Sequence, residues 1–238
     1  MPSKSISEFH DAIRALADPA RAAGAARFFK NGPGDYGEGD RFLGISVPDL
    51  RRVARAHRTL SRPDTLDLLH SPWHEERLAA LLILLDSHAR AARAERVEIH
   101  RTYVGNTAFV NNWDLVDSSA AELVGSHVPT LGIRVLKGLA RSTSLWERRI
   151  AIVATHWSIR HDDFAPTMLI AEQLLDDGHD LIHKAVGWML REAGKRNPTV
   201  LRGFLDAHAT SMPRVALRSS IERFGEQERR HFLAMRHD

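Results

Sequence analysis

The sequence predicts an all-α protein assembled from repeated helical units. Three observations carry that prediction. Apolar residues recur three and four apart along most of the chain, eight of the ten prolines stand just ahead of such a stretch, and a similar helical segment returns at spacings of 32 to 40 residues. No stretch alternates polar and apolar residues as a half-buried strand does.

The prolines mark the helix starts in order: Pro19, Pro48, Pro63, Pro72, Pro129, Pro166, Pro198 and Pro213. The first turn of a helix has unpaired N–H groups, so a residue without one costs nothing there. Asp18, Ser71 and Asn197 directly precede a proline and Ser46 stands two residues before Pro48, where a side-chain oxygen can cap the opening turn. The clearest apolar stripes lie at 75–85, 117–124 and 182–193, and the helices are expected to run 8–16 residues with short joints. The Gly-rich segment 31–41 (NGPGDYGEGDR) stands apart and is expected to be flexible or functional.

At 238 residues, 43% hydrophobic and 26% charged, the chain can bury a sizeable core and is too apolar to be disordered. One domain over residues 1–238 is expected. The longest strictly apolar run, Leu78 to Leu85, falls far short of the roughly 20 residues of a bilayer span, so no membrane association is expected. The N-terminus offers no clean apolar segment for a signal peptide. With no cysteine, disulfides and Cys-ligated zinc are excluded, which fits a reducing cytoplasm. The net charge is only +3, yet 28 arginines accompany five lysines. A GC-rich coding sequence explains that bias; so does phosphate recognition by bidentate guanidinium groups.

Four segments align: Ser71-Pro-Trp-His-Glu-Glu-Arg77, Asn111-Asn-Trp-Asp-Leu-Val-Asp117, Ser144-Leu-Trp-Glu-Arg-Arg149 and Asp180-Leu-Ile-His-Lys184, each leading into an apolar helix. A fainter fifth is Pro213-Arg-Val-Ala-Leu-Arg218. The successive spacings of 40, 32, 35 and 34 residues, without the tetratricopeptide tryptophan pattern, predict a HEAT-like solenoid: a curved superhelix of paired helices with an extended concave face. The aligned polar position reads Arg77, Asp117, Arg149, Lys184, Arg218. If it lines the concave face, that face is a basic groove suited to a phosphate backbone, with one carboxylate in it. Asp117 then has two readings. It pairs with Arg149 or Arg77 to fix neighbouring repeats, or it faces developing positive charge and orients a water during chemistry. Trp113, four residues before Asp117, shares its helical face, and Trp188 lies four after Lys184, so both are candidates for an electron-rich box around a cation. Trp73, Trp146 and Trp157 read as core.

Trp113-Asp-Leu-Val-Asp117-Ser118, Trp146-Glu-Arg-Arg149-Ile-Ala-Ile and Lys184-Ala-Val-Gly-Trp188-Met-Leu-Arg191-Glu, in this order, resemble the AlkD family of bacterial DNA glycosylases. Ala26-Arg-Phe-Phe-Lys30-Asn31 and Phe42-Leu-Gly-Ile-Ser-Val-Pro48 look like that family's N-terminal portion, so the likeness runs from about Ile6 to Phe224. The resemblance implies a HEAT-like enzyme of base excision repair that removes N3- and N7-alkylated purines from double-stranded DNA, without flipping the base, without metal and without cofactor. It implies Asp117 as the catalytic carboxylate, Trp113 and Trp188 on the lesion's deoxyribose and backbone, and Arg149 holding the backbone nearby. Arg77, Arg148, Lys184, Arg191, Arg218 and Phe28 are the remaining candidate DNA contacts. Phe28 stands where the family often has a hydroxylated aromatic, and the 31–41 loop looks like an insertion that alters how the N-terminal helices meet DNA.

Other motifs carry less. Gly32-Pro-Gly34-Asp-Tyr-Gly37 matches a dinucleotide fingerprint literally but follows no strand and opens no helix. His70/His74 and His179/His183 have ligand spacing without a third ligand, so no metal site is expected. Two alternatives to a glycosylase stand: a non-catalytic relative that binds DNA structures, and a protein–protein scaffold. A monomer is the default for a self-capped solenoid.

Overall fold

The computed structural model describes residues 5–235, all helices, turns and loops, with no β-strand among them. One isolated bridge joins Arg41 to Trp73. The chain divides into two compact units, residues 1–119 and 120–238.

The first unit holds α1 (Ile6–Arg14), α2 (Pro19–Phe28), α3 (Val47–Ala56), α4 (Arg62–Leu69), α5 (His74–Arg90), α6 (Arg93–Val104), a 3-10 turn (Thr107–Phe109) and the start of α7 (Trp113–Leu123). Short polar residues start the early helices. Ser5 and Glu8 form a reciprocal capping box on α1. Asp18 caps α2 through Ala20 N–H and Arg21 N–H at 2.9 and 3.0 Å, and Ser46 and Ser61 cap α3 and α4. α5 is the spine, with α3, α4 and α6 packed on it. Leu78, Ala79, Ala80, Leu81, Ile83 and Leu84 are all buried, so this helix is apolar nearly all round, as a central helix must be. Gly44 shapes the entry to α3: its φ is +78°, and a Cβ there would stand 2.1 Å from the Asp18 carbonyl oxygen.

The second unit holds a 3-10 turn (Gly125–His127), α8 (Val128–Leu131), α9 (Arg134–Leu139), α10 (Leu145–Ala154), α11 (His156–Arg160), α12 (Ala165–Gln173), α13 (Asp180–Arg196), α14 (Pro198–His208), α15 (Arg214–Ser220) and α16 (Glu226–Ala234). Here α13 is the spine, with α10, α12, α14 and α15 on it. Gly187 allows the α13–α15 approach, since a Cβ would lie 2.6 Å from the Ala216 carbonyl oxygen.

The proline rule holds. Pro19, Pro48, Pro63, Pro129, Pro166 and Pro198 lie in the first two positions of their helices, and Pro213 is the N-cap of α15. Ser71 is a correction: α5 is capped at Trp73 without a side-chain bond, and Ser71 Oγ accepts the Trp73 N–H at 3.1 Å instead. Helix lengths of 4 to 17 residues exceed the expected range at both ends. Trp146 is buried as expected, whereas Trp73 and Trp157 are half-buried, the latter stacked on His161 at 3.8 Å.

Candidate functional site

The repeat alignment survives as register and fails as a description of exposure. The five aligned residues fall on the fourth residue of α5 (Arg77) and the fifth of α7, α10, α13 and α15 (Asp117, Arg149, Lys184, Arg218). Lys184 and Arg218 are exposed and Asp117 is half-buried, but Arg77 and Arg149 are only 4% and 6% exposed. Arg77 is no phosphate contact. Its guanidinium bonds the buried Asp40 carboxylate and donates to the Ser71 carbonyl at 2.9 Å. Arg149 is likewise turned inward, donating to the Leu181 carbonyl at 2.6 Å. Arg148 is held by Asp177, with Nε 2.5 Å from Oδ2, and by the Ser142 and Thr143 carbonyls, so it too is part of the scaffold. Arg191 bonds Glu222. The expected run of free cations is therefore reduced to Lys184 and Arg218: Arg77 and Arg149 are buried, where a guanidinium must be paired, and Arg148 and Arg191 are held in ion pairs nearer the surface.

Around Trp113 the first unit is built closely. Asn112, fully buried, accepts the Trp113 N–H at 2.9 Å and donates to Asp40 Oδ2 at 3.1 Å. Asp40 Oδ2 also lies 3.0 Å from His74 Nδ1, and His74 Nε2 lies 2.8 Å from Asp114 Oδ2, one residue beyond the tryptophan. A continuous polar chain thus runs Arg77–Asp40–His74–Asp114, from the end of the Gly-rich loop through the head of α5 to the first turn of α7. Burial alone would drive the His74 proton off; the hydrogen bonds and charges of Asp114 and Asp40 prevail and raise its pKa to about 9, so the imidazole is a cation at neutral pH. Burial works to raise Asp40, but the His74 bond and the Arg77 charge hold it below the usual carboxylate range.

Over this chain lies an aromatic cluster. Phe29 stacks on Trp113 at 5.3 Å and on Phe42 at 5.3 Å, both phenylalanines pack on the His74 ring at 4.8–4.9 Å, and Phe28 meets Trp113 edge-on at 5.8 Å. Phe28 is 65% exposed, an uncovered aromatic face beside Trp113. A cavity of about 250 Å³ opens alongside, walled by Phe29, Phe42, Ile45 and Leu50 with His74 and Asp114 at its polar side.

Asp117 lies one helical turn beyond Trp113 on α7, within the electrostatic reach of Tyr103. Tyr103 is fully buried with its hydroxyl 3.0 Å from Ser119 Oγ; burial, and then the Asp117 charge, push its pKa upward, so it stays a neutral phenol. In the second unit Trp188 is half-buried, its ring 6.0 Å from that of His156, whose proton affinity is lowered by burial and by Arg160.

Sequence reading missed Asp40, His74 and Asp114. The signal available was His74-Glu-Glu-Arg77, four polar residues opening an apolar helix; all four are buried. Glu75 takes the backbone N–H groups of Leu43, Gly44 and Ile45 at 2.8–3.3 Å. The 31–41 loop is folded into successive turns (Asp35 N to Gly32 O, Glu38 N to Asp35 O, Asp40 N to Gly37 O, 3.0–3.1 Å), with Asn31 Nδ2 donating to the Asp40 carbonyl. Among the described residues no group of three His, Asp or Glu is arranged to hold a metal ion, and no helix is long and apolar enough to cross a membrane.

The sequence model of a family described as DNA alkylation repair enzyme matches residues 9–224. A solved structure described as a predicted DNA alkylation repair enzyme from Enterococcus faecalis shares the fold, with a TM-score of 0.67, 18% identity, and coverage of 89% of this chain and 98% of that one. No curated protein matches the chain.

Proposed function

Because the chain belongs to the DNA alkylation repair enzyme family, we propose that it is a DNA glycosylase that hydrolyses the N-glycosidic bond of N3- and N7-alkylated purines in duplex DNA, without flipping the base. The observation that carries this reading is the head of α7. Trp113 is held by Asn112, Phe28 and Phe29 over the hydrogen-bonded ionic chain, with the half-buried Asp117 carboxylate one turn along the same face.

The chemistry follows from charge. Alkylation at N3 or N7 leaves the purine cationic and a good leaving group, so no strong acid is needed to expel it. As the C1′–N bond breaks, positive charge moves to the sugar, as in glycoside hydrolysis. Asp117, ionised, stabilises that oxocarbenium ion and orients the water that attacks C1′, the water's proton passing to the carboxylate. Trp113 and Trp188 contact the deoxyribose and backbone and add cation–π stabilisation of about 0.5–2 kcal/mol each. Arg149, being buried, acts by holding the Leu181 turn rather than by touching a phosphate. Phe28 presents an apolar face to the DNA, and Lys184 and Arg218 supply backbone contacts.

The test is release of 3-methyladenine and 7-methylguanine from methylated duplex by the purified protein. Release supports the reading. No release with steeply salt-dependent duplex binding would assign a non-catalytic DNA binder, and no duplex binding at low salt would leave the scaffold.

A further inference from the structure

At the far end of α13 the second unit has a cavity of about 350 Å³ that neither the repeat alignment nor the proposed chemistry uses. It lies between the last turns of α13, the first turns of α14, the 221–225 segment and the start of α16. Arg191, Lys195, Arg202 and Arg223 line it together with one carboxylate, Glu228.

The local charges can be matched. Arg191 bonds Glu222, Lys195 Nζ lies 2.7 Å from Glu192 Oε1, and Arg202 Nε lies 2.6 Å from Glu228 Oε1. Arg223 is exposed and has no carboxylate partner among the described residues, which leaves one positive charge in excess. One further feature bears on an anion. The cavity includes Gly225, the N-cap of the nine-residue α16; no side chain caps that helix, so its opening N–H groups are open to a ligand, while Glu226 and Glu228 in its first turn offset its dipole. Arg202 is already oriented over the Phe224 ring at 5.4 Å, which fixes its guanidinium at the rim.

We propose that this cavity seats a phosphate group, held by the unpaired Arg223 and by Lys195, which exchanges Glu192 for it, with the α16 N-terminus behind it. The chemistry is shared by a DNA backbone phosphodiester and a free phosphate or phosphomonoester. The DNA source rests on the function proposed above; the phosphate seat itself does not. The cavity is separate from Trp113 and Asp117 in the chain and requires neither.

The test uses the whole protein and the double variant Lys195→Gln/Arg223→Gln, both positions exposed, with Arg223→Lys as the charge-conserving control. Inorganic phosphate and an unmodified 16-base-pair duplex are titrated separately, the duplex across a salt series. The proposal predicts that the double variant loses phosphate binding at least tenfold with an unchanged melting temperature, while Arg223→Lys retains most of it. If backbone phosphate is the natural occupant, the duplex affinity also drops about tenfold at low salt and the slope against log salt falls by about two. Phosphate binding lost with duplex binding unchanged assigns the seat to a free phosphate or phosphomonoester. Unchanged binding of both probes overturns the proposal. Wild type that binds phosphate but no duplex refutes the DNA reading and leaves the seat standing.

Discussion

α5 and α13 are both 17 residues long, both are spines of their units, and both carry one of the aligned polar residues near their heads. They use that position in opposite ways. In α5 the opening residues His74, Glu75, Glu76 and Arg77 are all buried and joined to Asp40, Asp114 and the backbone of 43–45. In α13 the equivalent turn leaves Asp180 and Lys184 in solvent. A helical repeat sets where along a helix a residue falls; what covers that turn decides whether its charge is a structural member or a surface contact. The extended 31–41 loop does the covering in the first unit, carrying Asp40 over the head of α5.

The largest expected effect breaks the buried side of this comparison. Arg77→Gln leaves Asp40 with less of its compensating charge in a site 2% exposed, and should cost about 3–5 kcal/mol by denaturant unfolding. A loss under about 1 kcal/mol would show that the ion pair is dispensable.

The next effect is set by pH. His74 rises from 6.5 to about 9 on folding, so the folded state holds the proton more tightly. The stabilisation is complete below pH 6.5 and is lost as the pH rises through 9, on the order of 3 kcal/mol in all. Melting temperature should therefore fall between these values in the wild type and stay flat in His74→Gln. A flat wild-type profile contradicts a charged His74.

The smallest effect sharpens the exposed side. Lys184→Gln should change stability by less than about 0.5 kcal/mol while lowering the salt slope of duplex binding by about one. Destabilisation comparable to that of Arg77→Gln would erase the distinction between the two helix heads.

The helical architecture was legible because its signals are local: proline at helix starts, short polar caps and three-and-four apolar spacing each depend on one turn of chain. The W-D-L-V-D string likewise put Trp113 and Asp117 on one face. Burial was not legible, since it depends on contacts remote in sequence. Asp40 lies 34 residues from His74 and 72 from Asn112, yet bonds both, and nothing in the Gly-rich loop marks its last acid as the hub. For the same reason Arg77, Arg148 and Arg149 read as groove cations in the sequence, because their partners at Asp40, Asp177 and Leu181 are remote along the chain. The carboxylate of Asp114 stood in plain sight beside Trp113, but its role appears only once His74 lies against it.

The central claim is that Asp117 meets the charge that forms on the sugar, and single-turnover release of 7-methylguanine from methylated duplex by wild type and Asp117→Asn tests it most directly. The account predicts a rate loss of about 10²-fold or more in the variant, with duplex affinity kept. Equal rates in the two proteins would contradict it.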